Sequence, residues 1–192
     1  MLFFAWLLRG AMSTKIFSTG RLVAFQTLIL VLSGMVSPAL CAQPRTSTVL
    51  LDVPSIKQPY NLCLAACVSM VLKYWGVEVT PQAIADRVPI YRDGVTGQDL
   101  QHVVERIGFR GFLIQPPFED LLEHLRKGRP PVVSFLSRGK SRHSMVLVGF
   151  DAGRQDLFLM DPANGKRKSL DYRTFRHKWE SAQRWTFLIV PR

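Results

Sequence analysis

Two cysteines one helical turn apart, Cys63 and Cys67, lie in the stretch QPYNLCLAACVSMVLKYWG at residues 58–76. Asn61 can cap a helix running from about Leu62 to Tyr74, with Gly76 just past its end. A thiol in the first turn of such a helix faces unpaired backbone N–H groups and the positive end of the helix dipole. Both favour the thiolate, the form of cysteine that attacks carbonyls. Cys67 sits one turn deeper, where the N–H groups are already bonded, and reads as a small buried hydrophobe. Cys63 is therefore the candidate nucleophile. Gln58, five residues upstream, can offer a side-chain N–H to an oxyanion forming over that cysteine, beside the backbone N–H of Cys63.

A nucleophilic thiol needs a base and a group to orient it. The segments HSMVLVGFD at 143–151 and LFLMDP at 157–162 flank the turn residues Asp151 to Gln155, a hairpin signal. With the turn centred near Ala152, His143 precedes the centre by nine residues and Asp161 follows it by nine. A regular hairpin then places them opposite each other on one face, about 5 Å apart. A carboxylate there would fix the imidazole tautomer and stabilise the imidazolium. A slip of one residue would separate the pair. The other histidines, His102, His124 and His177, have no cysteine or histidine at metal-ligand spacing. The chain contains no HExxH, no paired CxxC, no Gly-rich phosphate loop and no GxSxG elbow, so no metal or cofactor is implied.

Positioning these groups falls to an ordered series of elements. Val49 to Ile56 reads as extended. After the cysteine helix, Thr80-Pro81 opens a short helix to about Arg87, and Thr96 caps another from Gly97 to Ile107. Leu100, Val103, Val104 and Ile107 share one face of the latter. Phe109 to Ile114 is strand-like. Pro116-Pro117 introduces a helix to about Lys127, and PVVSFL at 131–136 is a buried strand. The hairpin follows, then a helix from Asp171 to Trp179 and a last strand from Trp185 to Val190. Helices first and strands second, joined by hairpins, argue for α+β with an antiparallel sheet.

The chain has 192 residues, with 25 Lys and Arg against 14 Asp and Glu. Residues 1–42 hold no acid, and the first is Asp52. Lys15 and Arg21 precede the apolar run LVAFQTLILVLSGMV at 22–36, and Ser37, Pro38 and Ala39 follow it. That is the pattern of a secretory signal peptide, with cleavage expected after Ala42. The run is shorter than the roughly 20 residues of a membrane span. A lipoprotein reading through Cys41 meets Leu40 where a small residue is expected. Residues 43–48 then form a flexible lead-in, and 49–192 a single domain. Without Arg9, Lys15 and Arg21 the remainder carries 22 basic residues against 14 acids, and stays basic. Its charges are scattered, with no aromatic-studded basic stripe, so no nucleic acid is expected. The clusters Arg126-Lys127-Arg129, Arg138-Lys140-Arg142 and Lys166-Arg167-Lys168 read as solvated loops, with attraction to anionic envelope surfaces or acidic substrates as the milder functional reading. Only Cys63 and Cys67 remain, which is no disulfide framework.

Taken together, Gln58, Cys63, the run VSMVLKYWG, the segment GVTGQDL at 94–100, His143 with VGF, and the Asp161-Pro162 step resemble the C39-like peptidases. These are the bacteriocin-processing type within the papain-like superfamily. The resemblance covers about Val49 to Val190. It implies a papain-like α+β fold, N-terminal helices packed on a C-terminal antiparallel sheet. It also implies a triad of Cys63, His143 and Asp161, with Gln58 in the oxyanion hole. Leu64 stands where such chains usually carry glycine. The expected protein is an exported cysteine peptidase, periplasmic or extracellular, acting on a peptide or protein substrate, with no fused transporter. Two rivals remain open: a non-catalytic C39-like peptide-binding domain, and an acyl-transferring or deamidating enzyme on the same fold.

Overall fold

Side chains start three of the helices. In the computed structural model, which describes residues 47–136 and 142–192, the Thr80 hydroxyl accepts from Ala83 N–H to open α2 (Pro81–Ala85). Thr96 does the same from Asp99 N–H for α3 (Gly97–Ile107), and Asp171 from Thr174 N–H for α5 (Tyr172–Ser181). Each satisfies one of the N–H groups that a helix start leaves unpaired. Helices α1 (Cys63–Tyr74) and α4 (Phe118–Arg126) begin without a side-chain cap. Among the described residues, no helix is long and apolar enough to cross a membrane.

The strands are β1 (Thr48–Leu50), β2 (Phe109–Ile114), β3 (Val132–Leu136), β4 (Arg142–Asp151), β5 (Asp156–Asp161), β6 (Lys166–Asp171) and β7 (Thr186–Pro191). They form one sheet in the order β2-β7-β3-β4-β5-β6, with β1 added against β4. Every pairing is antiparallel, as the hairpin-rich order of elements required. Alternation along β3 splits the core. Val132 joins Val146, Val148 and Phe187 under α1 and α3, while Val133 and Phe135 join Leu147, Leu157 and Leu159 under α4 and α5. Both faces of the central strands are therefore covered, and β4 is buried from Ser144 to Phe150. The architecture is α+β with helices packed on an antiparallel sheet.

Three local details differ from expectation. Thr48, assigned to a flexible lead-in, already pairs with Asp151 in β1. The basic run at Lys166–Lys168, read as a solvated loop, lies in β6, the edge strand beside β5. Its charges suit an edge, where lysines discourage pairing with other chains. The hairpin is also not regular. Asp151 pairs with Asp156 and Phe150 with Leu157, but beyond Gly149 the register shifts, so that Leu147 pairs with Leu159 and Val146 with Met160. Val148 is the extra residue of a β-bulge. The expected signal peptide at 1–42 lies outside the described residues.

Candidate active site

Cys63 is the first residue of α1, and Leu62 precedes it at the cap position without a capping side chain. The first intrahelical bond runs from Ala66 N–H to Leu62 O, at 2.9 Å. The N–H groups of the turn before it, Cys63 included, have no intrahelical acceptor. Asn61 is not the helix cap. Its backbone takes a positive φ of 58°, and its side-chain Nδ2 donates to Arg92 O at 2.8 Å. Gly94 closes the same loop at φ 98°, and a Cβ there would lie 2.6 Å from Asn61 O. Asn61 thus ties the start of the cysteine helix to the 91–94 turn, a tertiary contact that no capping rule contains.

The bulge decides whether His143 and Asp161 share a face. With the register of the turn continued unbroken, Asp161 would oppose Val146 and face away from His143. The residue absorbed at Val148 restores the shared face, because side chains alternate with period two. The pair is diagonal rather than directly opposite, since the observed register carries Asp161 towards Met145. Diagonal neighbours remain within reach of long side chains. His143 Nε2 lies 2.8 Å from Asp161 Oδ1. An ionised carboxylate can only accept, so Nε2 donates and Nδ1 is left for the thiol. The imidazole lowers the Cys63 thiol, and Cys63 and Asp161 both raise the imidazole. Thiol, imidazole and carboxylate are thus linked in that order.

The fold that carries these residues has counterparts among known proteins. The model of the Peptidase_C39 like family matches residues 50–186. The chain belongs to this family. Among curated proteins, it is 24% identical over 132 residues to the lactococcin-G-processing and transport ATP-binding protein LagD of Lactococcus lactis subsp. lactis. The match takes in 67% of this chain and 17% of that relative, so the chain spans about a sixth of the relative's length. Among solved structures, a C39-like peptidase from Bacillus anthracis superposes with a TM-score of 0.66 at 16% identity, covering 76% of this chain and 98% of the other. A double glycine motif protease from an AMS/PCAT transporter, solved with its leader peptide, gives a TM-score of 0.62 at 20% identity, over 75% and 95%. The fold of this C39-like chain is thus that of C39 peptidase domains.

Its charges follow from the surroundings of each group. Burial pushes the Cys63 thiol up, but hydrogen bonds from His143 and the Ser144 backbone, with the imidazolium charge, outweigh it and leave the thiol below its ordinary range. The hydrogen bond to Cys63 raises His143; burial opposes this, and Asp161 adds to the rise. Asp161 is 2% exposed at its side chain. Burial alone would raise its carboxyl, yet Lys168, the Ala163 N–H and His143 hold it below the usual carboxylate range. Its Oδ1 takes Ala163 N–H at 2.9 Å as well as His143, and its Oδ2 takes the Lys168 ammonium. A buried carboxylate stays ionised only when so compensated.

Gln58 is held beside this line by its backbone. Its N–H donates to Pro162 O at 2.8 Å, next to Asp161, while its side-chain Oε1 is buried with no partner. A cavity of about 690 Å³ opens at Cys63, with Leu64, Val95, Leu113 and Trp185 among its walls, and its lining does not include Gln58. Cys67 is fully buried, and burial followed by the charges of Cys63 and Asp161 pushes its thiol well up. Three polar residues at the site escaped the sequence reading: Lys168, Ser134 and Ser144. Lys168 stood in an unremarkable basic run. The serines were hidden in apolar strands, where a hydroxyl at a buried position was the one available signal.

Proposed function

We propose that this C39-like chain is a cysteine peptidase that hydrolyses peptide bonds through Cys63, His143 and Asp161. The observation that carries the reading is the unbroken line from thiol to imidazole to buried carboxylate. With Nε2 committed to Asp161, Nδ1 of His143 receives the Cys63 proton. The thiolate attacks the scissile carbonyl, and the unpaired N–H of Cys63 holds the oxyanion. Gln58 is the proposed second donor, kept beside the triad by its tether to Pro162. The imidazolium then protonates the leaving amine, and water releases the acyl group. A peptide substrate accords with the relatives, one named for lactococcin-G processing and one solved with a leader peptide. Export to the periplasm or beyond is part of the proposal and rests on the sequence of residues 1–42 alone.

The test compares peptide cleavage and labelling by a peptidyl aldehyde in the wild type, Cys63→Ala and Cys67→Ala. Cleavage and labelling should vanish only in Cys63→Ala. Loss in Cys67→Ala with retention in Cys63→Ala would reverse the assignment. Labelling of Cys63 without any cleavage would leave a peptide-binding domain. An amine acceptor that diverts the product would mark acyl transfer instead.

A further inference from the structure

Ser134 in β3 and Ser144 in β4 are directly paired across the sheet, and both are almost completely buried. The Ser134 N–H donates to Trp185 O on the far side, so its backbone turns away from β4. The two serines therefore form a non-hydrogen-bonded pair, the kind whose side chains approach closest. Their hydroxyl oxygens are 2.8 Å apart. Both line the cavity that opens at Cys63. The Ser144 N–H points the other way, towards β5, but that ladder ends at the pair Val146–Met160. Ser144 therefore has an N–H beyond the last rung, it lines the same cavity as Cys63, and its N–H is among the groups that lower the Cys63 thiol.

We propose that Ser144 is a second donor to the Cys63 sulfur beside His143, with its hydroxyl oriented by Ser134, so that the two serines hold the negative charge of the thiolate. Hydrogen counting gives the direction. Two hydroxyls carry two protons, and the bond between them uses one. When Ser134 donates to Ser144, the Ser144 proton is left for the sulfur. Three donors then face one anion: the imidazolium, the Ser144 N–H and the Ser144 O–H. When the sulfur is a neutral thiol, the chain can reverse, with S–H donating to Ser144 and Ser144 to Ser134. Ser144 touches the reacting atom. Ser134 acts through it, as a positioning residue.

This inference rests on Cys63 being the nucleophile, and its test reads the thiol without needing a substrate. The full chain is alkylated with iodoacetamide across pH, the adduct is located by mass spectrometry, and each variant's denaturant midpoint shows that it is folded. In Ser144→Ala the alkylation rate of Cys63 on the acid side should fall about tenfold, the loss that one pK unit produces. Ser134→Ala should lose about threefold, and Ser144→Thr, which keeps the hydroxyl, should stay near the wild type. If Ser144→Ala does not fold, Ser134→Ala and Ser144→Thr decide. A depressed wild-type profile that Ser134→Ala and Ser144→Ala leave unmoved would overturn the serine inference alone. A wild-type Cys63 that titrates near the ordinary value of about 8.5 would remove both this inference and the peptidase reading.

Discussion

The first and second turns of α1 each present a cysteine, and the protein treats them in opposite ways. Cys63 meets unpaired N–H groups, an imidazole and a cavity; Cys67 meets only the packed core. Burial opposes ionisation at both. At Cys63 hydrogen bonds and the imidazolium charge overcome it, whereas at Cys67 the nearby Cys63 and Asp161 charges add to it. One helical turn, about 5.4 Å, separates a thiol that its neighbours hold low from one that burial pushes up. Proximity to a site therefore says little about reactivity; the donors facing the sulfur decide it.

The most severe way to break this contrast is to remove each thiol in turn. Cys63→Ala should lower kcat/KM by about 10⁴-fold or more, the scale on which a nucleophile's loss is measured, while Cys67→Ala should remain within a few-fold. Next is the carboxylate. Asp161→Asn should cost about 10²-fold, the scale of a mis-set general base. The pH profile should be bell-shaped, falling on the acid side as Cys63 regains its proton and on the alkaline side as His143 loses its own. Because the Asp161 charge raises His143, Asp161→Asn should also draw the alkaline limb to lower pH. An unchanged limb would show that the carboxylate does not act on the ring.

Smaller effects sharpen the contrast. Cys67→Ser puts a hydroxyl into the core, and without a partner it should cost about 1–3 kcal/mol, read from the denaturant midpoint, with activity per folded molecule preserved. A loss of turnover without a loss of stability would move Cys67 into the chemistry. Lys168→Met should have the mildest effect, a few-fold loss concentrated at acid pH. Lys168 is the strongest of the groups that hold Asp161 down, so its removal raises that carboxyl, whose protonation then adds to that of Cys63 and moves the acid limb upward. A shift in the opposite direction would show that Lys168 does not hold the carboxylate ionised.

Much of this was legible in the residues themselves. A cysteine at a helix start, a histidine and an aspartate on either side of a turn, and threonines before two helices are local facts, set by capping, dipoles and turn chemistry within a few residues. The faces were not legible. β4 is buried on both sides, so its sequence is an unbroken apolar run without the alternation that reports register. The bulge at Val148 left no mark in that run, yet it puts His143 and Asp161 on one side of the sheet. The same holds for Lys168 reaching Asp161 across β6, for Ser134 meeting Ser144, and for Asn61 leaving the helix to hold Arg92. Each joins residues distant in the chain, and period-two alternation means that one absorbed residue exchanges the two faces. Local chemistry named the participants; strand register, fixed only when the whole sheet packed, chose which of them meet.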